Sequence, residues 1–155
     1  MKILFICSSN ICRSPYCEYM LKKLLEEHPV AASKIEWIKS AAVLNPSRQI
    51  HPKARLALKR EGFDEKYIDS HVPAFKWFDR QRFKEADIIV GMTVWNMLCL
   101  PLKYWRKYVS ISTLATGRYK SVPDPYLMKD MEDYYKVMDI LKAYLIKYVD
   151  KLDKE

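Results

Sequence analysis

The chain predicts an α/β fold: a parallel sheet with helices packed on both faces. Three observations carry this. Short apolar runs of strand length alternate along the chain with segments of helical periodicity. The first run, Ile3–Cys7, is continuously apolar, as a strand covered on both faces must be. A helix start follows it at once, with Pro15 at a first-turn position where its missing N–H costs nothing. At 155 residues the chain is long enough for one core, and a single domain over residues 1–155 with a four-stranded parallel sheet is expected.

Each element has its own signal. Ile3–Cys7 reads as the first strand. Ser14 is placed to cap the helix that begins at Pro15, and Cys17, Met20, Leu21, Leu24 and Leu25 recur at three and four along it. Ile35–Ser40 reads as a second strand. Pro52–Glu61 reads as a helix closed by Gly62. Trp77–Lys84 and Val94–Leu98 read as short helices. Ala86–Val90 ("ADIIV") and Tyr108–Ser112 ("YVSIS") read as the third and fourth strands. Tyr134, Val137, Met138, Leu141, Leu145, Tyr148 and Leu152 mark the core face of a long final helix.

Composition excludes several classes. Apolar residues make up 50% and charged residues 30%, as in an ordinary globular protein rather than a disordered one. No run is apolar and long enough to span a membrane. Met1–Cys7 is too soon interrupted to be a secretory signal, so a cytoplasmic location is expected. The four cysteines (Cys7, Cys12, Cys17, Cys99) contain no C-x-x-C pair and the three histidines (His28, His51, His71) are scattered, so neither a zinc site nor any other cofactor is expected. Net charge is +8, with clusters at Lys53-Arg55-Lys59-Arg60 and Lys103-Arg106-Lys107. A solvated basic surface is the favoured reading, with attraction of anions such as phosphorylated proteins or acidic lipid as the alternative; no nucleic-acid motif accompanies the charge, and no nucleic-acid partner is expected.

In open parallel sheets the ligand site lies beyond the carboxyl ends of the strands. Cys7 stands at such an end, followed by Ser8, Ser9, Asn10, Ile11, Cys12 and Arg13. A loop of this length curls round one tetrahedral anion. Successive backbone N–H groups and the following helix N-terminus attract phosphate, and the Arg13 guanidinium matches two of its oxygens. The same surroundings favour the thiolate of Cys7, making it a nucleophile toward phosphorus. A late carboxylate, Asp124, lies between Pro123 and Pro125 on a stiff segment after the fourth strand, and is a candidate general acid. Spacing of Cys and Arg alone is a weak signal; its agreement with strand, loop, helix and late Asp strengthens it.

At these residues the sequence resembles the low-molecular-weight protein tyrosine phosphatases. The pattern C-x-x-x-x-C-R-S appears as Cys7, Cys12, Arg13 and Ser14, and D-P-Y as Asp124-Pro125-Tyr126. Ser40-Ala41-Ala42, Ser70-His71 and Met92 also fit, and the likeness runs over essentially the whole chain. It implies a flavodoxin-like phosphatase fold and metal-free hydrolysis of phosphotyrosine proteins and aryl phosphates through a cysteinyl-phosphate. Phosphate or other oxyanions would occupy the loop. It implies Cys7 as nucleophile, Arg13 as phosphate clamp and Asp124 as general acid. Asn10 and His71 would hold the loop in shape, and Ser14 would hydrogen-bond near the thiolate. Tyr126 would stand at the rim, and Cys12 would trap oxidised Cys7 as a disulfide.

Three departures bear on substrate. Ser9 stands where Gly is usual, which implies local backbone strain. The segment after Ala42, "VLNPSRQ", is short and lacks a flanking aromatic, with Leu44 or Asn45 near that place. Leu127 replaces a second rim tyrosine. Arsenate reductases share the loop but need two further mid-chain cysteines that are missing here before Cys99. Protein-arginine phosphatases carry Thr where this chain has Ile11, and the bulkier apolar Ile11 suits a flat phenyl ring. A phosphate-binding adaptor without turnover would have no use for Cys7 or Asp124. Sugar-transport phosphocarriers usually lack the arginine.

Overall fold

The computed structural model describes residues 1–155. Four strands form one parallel sheet: β1 (Lys2–Cys7), β2 (Trp37–Ala42), β3 (Ile88–Gly91) and β4 (Tyr108–Ser110), in the order β2-β1-β3-β4. The chain moves from β1 outward to β2 and then crosses back to β3. The order therefore reverses at β1, and a crevice opens beyond its carboxyl end. Cys7 ends β1 level with Ala42 of β2.

Eight α-helices flank the sheet: α1 (Arg13–Leu25), α2 (Pro29–Ser33), α3 (Pro52–Arg60), α4 (Glu65–Asp69), α5 (Arg80–Glu85), α6 (Val94–Leu98), α7 (Ile111–Thr116) and α8 (Met131–Lys154). Tight 3₁₀ turns at Leu102–Lys107 and Pro125–Leu127 complete the chain. Alternation along β1 explains why both sheet faces are covered. Ile3 and Phe5 enter the core under α1, α3 and α8, whereas Leu4 and Ile6 pack with Phe83, Ala86 and Leu100 on the other side. All seven residues of the expected α8 stripe are buried.

Local chemistry shifted several expected boundaries. The second strand runs two residues later than Ile35–Ser40. The Ile35 N–H bonds back to Ala32 after α2, and the small Ala41 and Ala42 are drawn into the sheet by complete burial. The fourth strand stops at Ser110 rather than Ser112. The Ser110 hydroxyl accepts the Thr113 N–H at 3.1 Å and starts α7. The helix expected at Trp77–Lys84 begins at Arg80, because the Asp79 carboxylate accepts the Phe75 N–H at 2.9 Å and folds Phe75–Asp79 into a turn. The short α2, α4 and α7 carry too little periodicity to stand out in the sequence.

The first helix starts at Arg13, two residues before Pro15, so Ser14 is not its cap. Cys12 is the N-cap and offers no side-chain acceptor. Ser14 lies inside the helix and spends its hydroxyl on the loop. Cys17 is fully buried, as its place in the apolar rhythm of the helix predicts, and Cys99 is half-buried. Gly62 adopts φ +92° behind α3, as a helix-terminating glycine does.

Gly91 illustrates a different constraint, close approach. A Cβ there would stand 2.5 Å from the Tyr108 ring, whose hydroxyl is tied to the Thr93 carbonyl. Gly91→Ala should cost about 1–3 kcal/mol in urea unfolding as the ring is pushed aside; an unchanged midpoint would contradict this packing.

Candidate active site

The loop Ser8–Cys12 turns its carbonyl groups outward. The Cys7 carbonyl accepts the Val43 N–H, and the Ser8 carbonyl accepts those of Leu44 and Asn45 at 3.0 Å each. The Ile11 carbonyl accepts the His51 N–H at 3.1 Å, and the Asn10 carbonyl is met by His71 Nε2 at 2.9 Å. The amide N–H groups of Ser8 through Cys12 donate to no protein group. The loop is thus a ring of unspent donors above the start of α1, an anion nest by construction.

Asn10 sets that shape. It is fully buried and is the one non-glycine residue at positive φ, +57°. Its side chain satisfies both halves of the amide: Oδ1 accepts the Ala74 N–H at 2.9 Å and Nδ2 donates to Ser14 Oγ at 2.8 Å. Asparagine tolerates the left-handed region better than most residues, and these bonds hold it there. Ser9 does not share it, so the strain expected from replacing a usual glycine is absent; the turn is made at Asn10 instead.

Ser14 Oγ lies 2.9 Å from Cys7 Sγ. Since that oxygen already accepts from Asn10, its own proton is free to point at the sulfur. Cys7, Asn10 and Ser14 therefore form one hydrogen-bonded chain. Arg13 is 3% exposed. Its Nη1 donates to the Val122 carbonyl at 2.8 Å, and Nη2 stands 3.6 Å from Asp124 Oδ2. Its Nε is buried without a partner. Buried donors are rarely left unpaired, and this one belongs to a side chain lining the cleft.

Asp124 accepts the Tyr126 N–H at 3.0 Å and so caps the Pro125–Leu127 turn, which holds Tyr126 half-exposed at the rim. The cleft has a volume of about 400 Å³. Cys7, Ser8, Ser9 and Ile11 form its floor side, and Asp124 and Tyr126 form one wall. Leu44 and Asn45, noted in the sequence for want of an aromatic, line it together with Ser47. Cys12 also lines it, and burial pushes its thiol up to about 12. All four cysteines are free.

The structure thus brings together Cys7, the loop, Arg13, Ser14, Asp124, Tyr126 and His71. The sequence did not mark Val122, which anchors Arg13, or His51. His51 accepts the Lys53 N–H on Nδ1 to cap α3, and its ring meets Tyr126 edge-on at 5.4 Å between centres. On the other side the ring lies nearly parallel to that of buried Tyr134. The His51-Pro52 pair before a helix was the available signal. No group of three or more His, Cys, Asp or Glu side chains is arranged to hold a metal ion. No helix is long and apolar enough to cross a membrane.

This arrangement defines a class of cysteine-based phosphatase. The profile of the low molecular weight phosphotyrosine protein phosphatases matches residues 2–155, and the chain belongs to that family. Known relatives fall on both sides of a substrate divide. A protein-arginine-phosphatase of Bacillus subtilis is 25% identical over 159 aligned positions, covering 100% of this chain and 99% of the relative. A low molecular weight protein-tyrosine-phosphatase of Acinetobacter johnsonii is 29% identical, over 80% of this chain and 79% of its own length. The crystal structure of a protein tyrosine phosphatase from Entamoeba histolytica, with Hepes in its active site, superposes with a TM-score of 0.78. It is 28% identical and covers 99% of this chain and 97% of its own.

Burial holds both site histidines below the usual 6.5, with Lys53 adding to the effect on His51 and the Asn10 bond opposing it on His71. The unfolded chain therefore takes up these protons first. Their contribution to stability is complete above pH 6.5 and lost as pH falls below it. Urea unfolding between about pH 7.5 and 5.5 should show that decline. His71→Gln and His51→Gln should each flatten it; an unchanged slope in both variants would contradict the assignment.

Proposed function

We propose that this chain hydrolyses phosphotyrosine in proteins, and aryl phosphates as small substrates, in two steps at Cys7. The Cys7 thiolate attacks phosphorus as the bond from phosphorus to the phenolic oxygen breaks. Asp124 gives that oxygen its proton, and neutral phenol departs. In the second step Asp124 takes a proton from water, the water oxygen attacks phosphorus, and the P–S bond breaks to release phosphate and the thiolate. Ser14 donates to the leaving sulfur. The loop N–H groups and Arg13, with its unpartnered Nε, hold the equatorial oxygens throughout.

The ring of unspent loop amides around Cys7 carries the phosphatase reading. Ile11 carries the choice of tyrosine. Together with Tyr126 it gives the cleft an apolar side and an aromatic edge, suited to a flat ring. The second reading is phosphoarginine, favoured by the end-to-end match to the arginine phosphatase. A charged guanidinium would lose hydration against Ile11, and its one acidic partner in the cleft would be Asp124, which is already shared with Arg13. Cys12 enters as a protective group. Oxidation of Cys7 by peroxide to the sulfenic acid would be followed by condensation with the Cys12 thiol, releasing water and forming a disulfide that a thiol reductant reopens.

Two measurements test this. With EDTA present, wild-type enzyme should release phosphate from a phosphotyrosine peptide much faster than from a phosphoarginine peptide, and Cys7→Ser should release none from either. A faster reaction with phosphoarginine would replace the substrate assignment, and hydrolysis by Cys7→Ser would overturn the mechanism. Asp124→Ala should slow phosphotyrosine hydrolysis by about 10²- to 10⁴-fold. The loss should shrink as the leaving group becomes more acidic; equal losses across leaving groups would contradict a proton donor at Asp124.

A further inference from the structure

The excess positive charge is unevenly compensated. In the first basic cluster, Arg55 pairs with Glu65 and Asp69, Lys59 with Glu65, and Arg60 with Asp139 and Glu61. The second cluster has no such partners. Lys103, Arg106 and Lys107 lie on the 3₁₀ turn and face Lys76, Arg80 and Lys84, which lie on and just before α5. The two rows line a groove of about 590 Å³ that contains no carboxylate and shares no residue with the cleft at Cys7. None of the six cations takes part in an ion pair.

The nearby acids form no ion pair with these six cations, although Asp87 lies close enough to act on Lys107. Asp79 accepts the Phe75 N–H, Glu85 accepts Gln81 Nε2, and Asp87 accepts the Lys2 N–H. Two of the cations staple the walls. Lys76 Nζ donates to the Cys99 carbonyl at 2.6 Å, and Lys107 Nζ donates to the carbonyls of Phe83 and Lys84 at the end of α5. The charged ends of Lys84, Lys103 and Arg106 donate no hydrogen bond to the protein, so their charges are free for a ligand. Like charges held this close repel one another, and an anion between them relieves that cost.

We propose that this groove binds an acidic, unphosphorylated segment of the protein substrate, while the phosphorylated residue occupies the cleft at Cys7. This rests on the phosphoprotein phosphatase reading and names the kind of substrate it favours. Two rows of cations flanking a groove match an extended chain of carboxylates. The Lys76 N–H bonds to the Ala42 carbonyl, at the strand end that continues to Leu44 and Asn45 of the cleft. A polypeptide running across the end of β2 would pass from the cleft to the Lys76 end of the groove. Nucleic acid fits less well. Binding of single strands relies on free aromatic faces for base stacking. Here Lys76 and Arg80 approach the ring of Trp77, and Lys103 and Lys107 that of Tyr104, at 5.1 to 5.8 Å from the ring centres.

The test uses the whole chain and the variant Lys103→Glu/Arg106→Glu, whose exposed positions touch neither cleft nor core. A labelled oligoglutamate peptide, carrying no phosphate, should bind wild-type protein at low salt and bind the variant at least about 10-fold more weakly. Inorganic phosphate should not displace it. A phosphotyrosine peptide with an acidic tail should be hydrolysed with kcat/KM about 10-fold above its neutral-tailed counterpart by wild type, and equally by the variant. Both proteins should hydrolyse a small aryl phosphate at the same rate. Equal oligoglutamate binding by both proteins, displacement by phosphate, or tighter binding of an oligodeoxynucleotide of equal charge would overturn the proposal. The oligoglutamate arm needs no turnover, so its result stands even where phosphotyrosine hydrolysis fails.

Discussion

Asn10 is held in the left-handed region at the centre of a loop whose carbonyls are also gripped by Val43, Leu44, Asn45 and His51. Its carbonyl meets His71, its Oδ1 takes the Ala74 N–H, and its Nδ2 reaches Ser14. These bonds come from the first turn of α1 and from the single segment His71–Ala74, so the loop closes only when that segment is packed against it. Once it closes, its carbonyls face outward and its N–H groups face the space above Cys7. The turn that exposes these donors leaves them without a protein acceptor. An oxyanion is the partner that geometry leaves open.

The rest of the site is arranged around that constraint. Ser14 sits one helical turn after Asn10 and so links the loop to the sulfur of Cys7. Arg13 is fixed from the far side by the Val122 carbonyl, which also places the segment bearing Asp124. His51 ties a third element to the loop through the Ile11 carbonyl and rests against both Tyr126 and Tyr134. Changes in the Asp124 segment and changes in the loop are thereby mechanically connected, although 109 positions separate Arg13 from Val122.

Much of this was legible from the residues. Strand β1 announced itself by continuous apolarity because both of its faces are buried, and α8 by a stripe repeated over many turns. Cys7, Arg13 and Asp124 were readable because their types and spacing follow from what a phosphate requires. Ser14 was half legible: serine beside proline suits a helix cap, which it is not, whereas the resemblance puts its hydroxyl near the thiolate, and it lies 2.9 Å from Cys7 Sγ. Ser9 was misjudged, since a glycine replaced by serine implies strain only if the left-handed residue is there rather than at Asn10. Val122 acts through a backbone carbonyl, which no side-chain pattern reveals. The two basic clusters looked alike because charge compensation depends on which carboxylates the fold brings near. Glu65, Asp69, Glu61 and Asp139 form ion pairs with one cluster, and no carboxylate forms an ion pair with the other.

The central claim is that the loop held by Asn10 makes Cys7 the atom that takes the phosphoryl group. Rapid acid quench during turnover of a radiolabelled aryl phosphate, followed by peptide mapping, tests it directly. The account predicts label on the peptide containing Cys7 as a thiophosphate, enriched in Asp124→Ala enzyme incubated with a good leaving group, and lost in Cys7→Ser. Turnover with no labelled peptide, or with label on another residue, would contradict it.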